Sequence, residues 1–266
     1  MDEIALQVIN LTHRYNSTVA VDRISFAIKE GTTLGLLGPN GAGKSTTIKM
    51  LTTLLPVTSG TAKVCGHDIV TEPEKVRQSI GYVSQMLSTD GELTGYENLL
   101  LSAKLYGLGK KERETQIADL LHFMGLTEFK DKRVNQYSGG MVRRLEIASS
   151  LLHQPKVLFL DEPTVGLDPA ARRSLWRKIG ELKKAFSTTI LMTTHDMEEA
   201  DLLCDIVAFM HLGHIIMMDT PDELKSRVGI DATLDDVFIE YVGSSINEGG
   251  DFAQVKERRR TVSNLD

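Results

Sequence analysis

The sequence predicts an α/β fold: a mixed, mainly parallel sheet, an N-terminal antiparallel β layer and an inserted α-helical subdomain. Three observations predict it. Short apolar runs at 157–161, 189–193 and 206–210 have the length and composition of buried strands, and a helical pattern over 169–185 separates the first two. Residues 4–30 alternate apolar and polar in the manner of half-buried strands. Between about 87 and 152 the apolar positions fall at helical spacing and strand signals are scarce.

Taken in order, Ile4, Leu6 and Val8, then Ile24, Phe26 and Ile28, define the antiparallel layer. Thr32-Thr33-Leu34-Gly35-Leu36-Leu37 is a short apolar strand that runs into a glycine-rich turn, and from Lys44 to about 55 the pattern is helical. Ile117, Leu120, Leu121 and Met124 give the buried stripe of a helix in the inserted subdomain. Phe209 to Ile216, with Leu212-Gly213 at its centre, reads as a hairpin. Thr220-Pro221-Asp222-Glu223 reads as a capping box with proline at the first helical position, and Thr233 to Asp236 opens a last short helix. From about Gly243 the chain turns polar and is expected to be a mobile tail over 243–266, leaving 1–242 as one domain. No internal repeat or low-complexity block is present.

The 266 residues suffice to bury a large core. Acidic side chains outnumber basic ones, 36 against 30, so the net charge of -6 lacks the footprint of a nucleic-acid binder. Cys65 and Cys204 stand far apart without metal-ligand spacing, as thiols of a reducing compartment do. The acidic start Met1-Asp2-Glu3 has no apolar stretch behind it, so export of the chain is not expected. No apolar run approaches the roughly 20 residues that a membrane crossing needs, so a membrane role is expected to run through a partner.

Gly38-Pro39-Asn40-Gly41-Ala42-Gly43-Lys44-Ser45 fits the phosphate-binding pattern G-x-x-x-x-G-K-[ST] in the strand–turn–helix context that the pattern requires. Glycines let successive backbone N–H groups face one concavity, and the helix that follows adds its positive end. Lys44 is expected to reach the β and γ phosphates of a nucleotide and the Ser45 hydroxyl to take a place on Mg2+, with Thr46 beside it in the same turn. The apolar strand 157–160 runs into Asp161-Glu162, placing two carboxylates at the edge where parallel sheets bind ligands. Asp161 is expected to hold Mg2+ through water and Glu162 to orient and polarise the attacking water. No Asn-Lys-x-Asp guanine-recognition motif occurs.

With Tyr137-Ser138-Gly139-Gly140-Met141 shortly before Asp161-Glu162, the chain resembles the ABC transporter ATPases over essentially residues 1–242. Their signature is usually Leu-Ser-Gly-Gly-Gln; Tyr137 and Met141 replace its first and last residues, and Ser138-Gly139-Gly140 stands. By its own chemistry Ser138 caps a helix, whose open end can face phosphate. The resemblance implies a P-loop NTPase core and a site completed in trans, in which Ser138, Gly139 and Gly140 of one subunit face the ATP held by another. It also implies that Gln85 is the Q-loop glutamine near metal and attacking water, that His195 is the switch histidine at the γ-phosphate, and that Asp168 is the D-loop aspartate at the subunit interface. Tyr15 is implied as the aromatic residue stacked on adenine. Asp168 also reads as a plain N-cap before Pro169, so both roles stand together.

The run from Tyr137 to Asp168, with Arg143-Arg144-Leu145-Glu146 inside it, and Thr233-Leu234-Asp235-Asp236-Val237-Phe238 are similar to the drug and polysaccharide exporter branch, of the daunorubicin-resistance-like, ABC-2 type. The resemblance implies an ATP- and Mg2+-dependent ATPase on the cytoplasmic face of the cell membrane. It would act as a homodimer, or as a heterodimer with a second ABC ATPase, on an integral membrane permease working in export. Two other readings stay open at this point. One is a soluble ATPase of the same kind acting on ribosomes, DNA or an assembly complex; the other is a small-molecule P-loop kinase. The basic cluster Lys256, Arg258, Arg259 and Arg260, with Thr261 and Ser263 behind it, reads first as a solvated charge run.

Overall fold

A computed structural model describes residues 3–243. The expected tail beyond Gly243, with its basic cluster, lies outside the described residues. In chain order the strands are β1 (Ile4–Tyr15), β2 (Thr18–Lys29), β3 (Thr33–Leu37), β4 (Ser59–Val64), β5 (His67–Asp68), β6 (Ile80–Val83), β7 (Val157–Asp161), β8 (Thr189–Thr194), β9 (Ile206–His211) and β10 (His214–Asp219). The helices are α1 (Lys44–Leu51), α2 (Pro73–Ser79), α3 (Gly95–Leu105), α4 (Lys110–Phe123), α5 (Gly139–Leu151), α6 (Pro169–Phe186), α7 (Met197–Leu203), α8 (Pro221–Ser226) and α9 (Leu234–Phe238).

The strands form two sheets. One is antiparallel in the order β2-β1-β4-β5; the other has the order β10-β9-β3-β8-β7-β6 and is parallel apart from the β9–β10 hairpin. The expected fold class is therefore present, a P-loop-type α/β core with an antiparallel layer upon it. Every residue of β3, β7 and β8 is buried, because helices cover one face of the parallel sheet and the antiparallel layer covers the other. The period of two divides β7 between two cores: Val157 and Phe159 join Leu6, Val8, Ile28 and Ile48, whereas Leu158 and Leu160 join Leu99, Leu145 and Leu175. Phe159 has no exposed surface, and its truncation to alanine would cost about 3–5 kcal/mol.

Between β6 and β7 stand α3, α4, two short 3-10 turns and α5, with α3 and α4 both packed on α5. Four local readings need correction. The helix expected to reach about 55 ends at Leu51, where Thr52 turns its hydroxyl back onto the Ile48 carbonyl. The region 56–84 carries β4, β5, α2 and β6, which apolar alternation did not reveal, since β4 has the small and polar sequence Ser-Gly-Thr-Ala-Lys-Val. At α8 only half of the capping box exists: Thr220 accepts from the Glu223 N–H, but its own N–H donates to Asp219. The run 189–193 extends to Thr194 and ends one residue before His195. By contrast α9 has the full reciprocal box between Thr233 and Asp236.

Candidate functional site

The sheet register brings the chemistry together. Leu37 at the end of β3 pairs with Thr194 at the end of β8, Asp161 at the end of β7 pairs with Thr193, and Leu160 pairs with Val83 at the end of β6. Four chain segments thus leave the parallel sheet along one edge, carrying the glycine loop, His195, Asp161-Glu162 and Gln85 respectively. Open α/β sheets place ligands at that edge.

The loop Gly38–Lys44 needs its glycines for space. At Gly38, with φ of +152°, a Cβ would lie 2.2 Å from the Met210 carbonyl oxygen; at Gly43, with φ of +106°, it would lie 2.6 Å from that of Ala20. Asn40 and Gly41 stand exposed on the lip, and Ser45 and Thr46 are half-buried in the first turn of α1. Gly43 caps α1 without a side chain, so the N–H groups of that turn are left for the concavity.

Lys44 is 4% exposed, Asp161 2% and Glu162 7%, so three ionisable side chains are buried together at the edge of the sheet. The Lys44 ammonium donates to the carbonyls of Gly38 (2.7 Å) and Pro39 (3.2 Å) and lies 3.6 Å from Glu162 Oε1. Burial pushes the Lys44 pKa below its ordinary value of 10.5, with Glu162 and Asp161 opposing. Ser45 and Thr193 both donate to Asp161 Oδ1, at 2.9 and 2.6 Å. Glu162 takes the left-handed backbone at φ +47°, uncommon for a residue with a Cβ, and its N–H donates to the Thr193 hydroxyl at 3.0 Å. Around its carboxylate stand Gln85 Nε2 at 3.2 Å, donating to Oε2, and His195 Nδ1 at 3.6 Å from Oε1. Glu162 is the hub of this cluster.

The other expected residues lie apart from it. Tyr15 is exposed at the end of β1, its ring edge-on to His13 with centroids 4.4 Å apart; on the facing strand Ala20 abuts Gly43 of the loop. Ser138 caps α5 by accepting from the Met141 N–H at 3.3 Å, and with Gly139 it is exposed. Asp168 Oδ1 accepts from Ala170 N (2.9 Å) and Ala171 N (3.0 Å), so the plain capping reading describes its contacts within the chain. The starts of α5 and α6 touch: a Cβ on Gly140 would lie 2.9 Å from the Ala171 Cβ, and one on Gly139 would lie 3.4 Å from the Leu167 side chain. The sequence reading missed Thr193, which joins Asp161 to Glu162, although a threonine pair ending an otherwise apolar strand was a visible signal. It also missed that Arg143 and Glu146 hold the backbone around Gln85.

A buried ammonium, a hydroxyl–carboxylate pair and a second carboxylate that converge on one glycine loop suit the hydrolysis of a nucleoside triphosphate. The sequence profile of the ABC transporter family matches residues 21–165. The daunorubicin/doxorubicin resistance ATP-binding protein DrrA of Streptomyces peucetius is 45% identical over 225 residues, which is 85% of this chain and 68% of that protein. The linearmycin resistance ATP-binding protein LnrL of Bacillus subtilis is 40% identical over 243 residues, 91% of this chain and 76% of that protein. Among solved structures, an ATP-binding subunit of an ABC transporter superposes with a TM-score of 0.79 at 30% identity, covering 90% of this chain and 99% of that one. CbiO1 from Clostridium perfringens, part of the ABC transporter complex CbiONQ, gives 0.78 at 28% identity, covering 97% and 100%. The chain belongs to the ABC transporter family, as an ATP-binding subunit and an ATPase coupled to transport.

Proposed function

We propose that two such subunits, either two copies of this chain or this chain and a second ABC ATPase, close on ATP and drive an integral membrane permease in the export direction. The observation that carries this reading is the division of the site. Lys44, Asp161 and Glu162 form a buried cluster beneath the glycine loop, while Ser138 and Gly139 present an exposed helix start whose own contacts run to α6. A second subunit would bring its Ser138–Gly140 helix start onto the phosphates cradled by this loop, with Asp168 at the seam.

In that assembly Tyr15 stacks on adenine, the loop N–H groups and Lys44 hold the phosphates, and His195 reaches the γ-phosphate. Glu162 accepts a proton from the attacking water while Gln85 fixes the orientation of its carboxylate. The oxygens of Ser45, Asp161 and Gln85 suit a hard cation, and among the described residues no group of three or more His, Cys, Asp or Glu side chains stands ready to hold a metal alone. That is the donor set of Mg2+ shared with a nucleotide; when bound, the ion neutralises developing phosphate charge.

No helix among the described residues is long and apolar enough to cross a membrane. Exposed Met86 and Leu87 beside Gln85, and Leu101 and Leu105 on α3, border α5 and give the permease an apolar seat. The subunit so docked works at the cytoplasmic face. In this reading 1–242 is the ATPase domain, 87–152 its helical subdomain and 243–266 a tail. The names of DrrA and LnrL, both resistance proteins, support export of a drug-like cargo.

The test is a pull-down of tagged Glu162→Gln protein from detergent-solubilised membranes with ATP present, read by mass spectrometry. Enrichment of one multi-spanning membrane protein supports the permease reading. Recovery of ribosomes or soluble proteins alone overturns it in favour of a soluble ATPase.

A further inference from the structure

The helix that begins at Ser138 carries an ion pair at a depth where ion pairs are rare. Arg143 is 2% exposed and Glu146 4%, and they face one another one turn apart on α5 at 2.9 Å. Their remaining bonding capacity leaves the helix. Arg143 Nη1 donates to the Ser84 carbonyl at 2.7 Å and Nη2 to the Gln85 carbonyl at 2.9 Å. Glu146 Oε1 accepts from the Ser88 N–H at 2.5 Å and from its hydroxyl at 3.1 Å. The segment 84–88 is therefore gripped on one side by a guanidinium fork and on the other by a carboxylate, both from one helix. Between the grips the Ser84 hydroxyl closes a tight turn onto the Met86 carbonyl at 2.5 Å, and Met86 and Leu87 are exposed. The side chain of Gln85 extends from this clamped backbone to Glu162 Oε2 at 3.2 Å.

A buried ion pair adds little stability over apolar side chains of the same volume, because desolvating two charges offsets their attraction. Its distinctive property is direction: the fork fixes two carbonyls at once, which an apolar contact cannot do.

We infer that Arg143 and Glu146 are positioning residues for hydrolysis: by clamping the backbone of 84–88 to the signature helix they hold Gln85 against Glu162. The inference rests on the reading that Gln85 serves Glu162 in hydrolysis. Arg143 stands five residues beyond Ser138, about 7.5 Å along the helix, so displacement of the helix start, or of the Met86–Leu87 turn, reaches Glu162 through this clamp.

The test uses the full chain and four variants, measuring kcat and KM for ATP with melting temperature alongside. Arg143→Met/Glu146→Leu replaces the pair with apolar side chains and leaves no lone buried charge, so melting is expected to hold. Its kcat is expected to fall about 10- to 100-fold, the scale of a misplaced catalytic contact, with KM unchanged. Gln85→Ala is expected to fall by a similar factor, and the triple variant to be no slower than Gln85→Ala alone, because one route is lost only once. Arg143→Lys, which cannot fork, is expected to lie between parent and double variant. Parental kcat in the double variant beside a slow Gln85→Ala overturns the inference and leaves the site reading intact. Parental kcat in Gln85→Ala overturns the Gln85 reading and the inference with it. A triple variant slowed by the product of both factors overturns the route through Gln85. If the apolar pair fails to fold, Arg143→Lys decides: a fall in kcat at unchanged KM and melting supports the clamp, and parental kcat overturns it.

Discussion

In the proposed assembly the glycine-loop cluster and the start of α5 both meet phosphate, yet they are made in opposite ways. The first is charged, buried and bonded within itself, with Glu162 in contact with Lys44, Gln85 and His195. The second is uncharged, a serine and two glycines at a helix end, with Ser138 and Gly139 exposed and Gly140 buried against α6. Folding alone assembles the cluster, where a low dielectric strengthens every charge. The helix end contributes N–H groups and part of a dipole, which act only when a phosphate is brought to them. The contrast teaches that one chain carries two unequal halves: one fixed by its own core, the other, in the proposed assembly, dependent on association.

Four substitutions or titrations would break or sharpen that contrast. The largest effect belongs to the hub: Glu162→Gln should slow ATP hydrolysis about 10²- to 10⁴-fold while nucleotide binding persists. Near-normal turnover would mean that the buried half lacks the general base. Next, Ser138→Arg, which plugs the open helix end, should lower turnover about 10²- to 10³-fold, the scale of a lost phosphate-facing donor, without loss of ATP binding to the monomer. Binding lost in the monomer would place the helix end in the same half as the loop. Tyr15→Ala should weaken ATP binding by about 1–3 kcal/mol and GTP binding equally, since stacking reads no base edge; a calorimetric titration showing equal affinities for parent and variant would remove Tyr15 from the site.

The smallest effect is a pH dependence confined to the buried half. Burial lowers the Lys44 pKa from 10.5. Below that depressed value Lys44 is already protonated when ATP arrives, and affinity is flat. Above it binding must take up a proton, so affinity should fall about tenfold per pH unit. The Ser138→Arg deficit involves no titrating group and should be the same across that range. An affinity that stays flat up to pH 10.5 would show that the ammonium is not buried as described.

The buried half was the more legible of the two in sequence. Gly38 to Ser45 are consecutive, and an apolar run ending in Asp161-Glu162 states its own depth and edge position. Gln85 and His195 carry no local pattern that distinguishes them from surface residues, so only the family resemblance singled them out. Thr193 and the Arg143–Glu146 clamp escaped because their partners stand far off in sequence: Thr193 bonds a residue 32 positions away and Arg143 a carbonyl 59 away. Local periodicity explains less still of 56–84. There β4 pairs with β1 through small and polar residues, and its place in the sheet is set by partners rather than by its own alternation.

The contact of Gly140 with Ala171 leaves no space for even a methyl group between the starts of α5 and α6. Two helix ends so closely packed are expected to move as one plate, with Ser138 at one corner and Asp168 at the other. In the proposed dimer, a docking subunit that tilts the plate would move both corners by a common rotation, so the contacts at Ser138 and Asp168 should be made and broken in step. Any side chain at position 140 would act as a wedge between the two helix starts and, in the proposed dimer, change the angle at which one subunit meets the next.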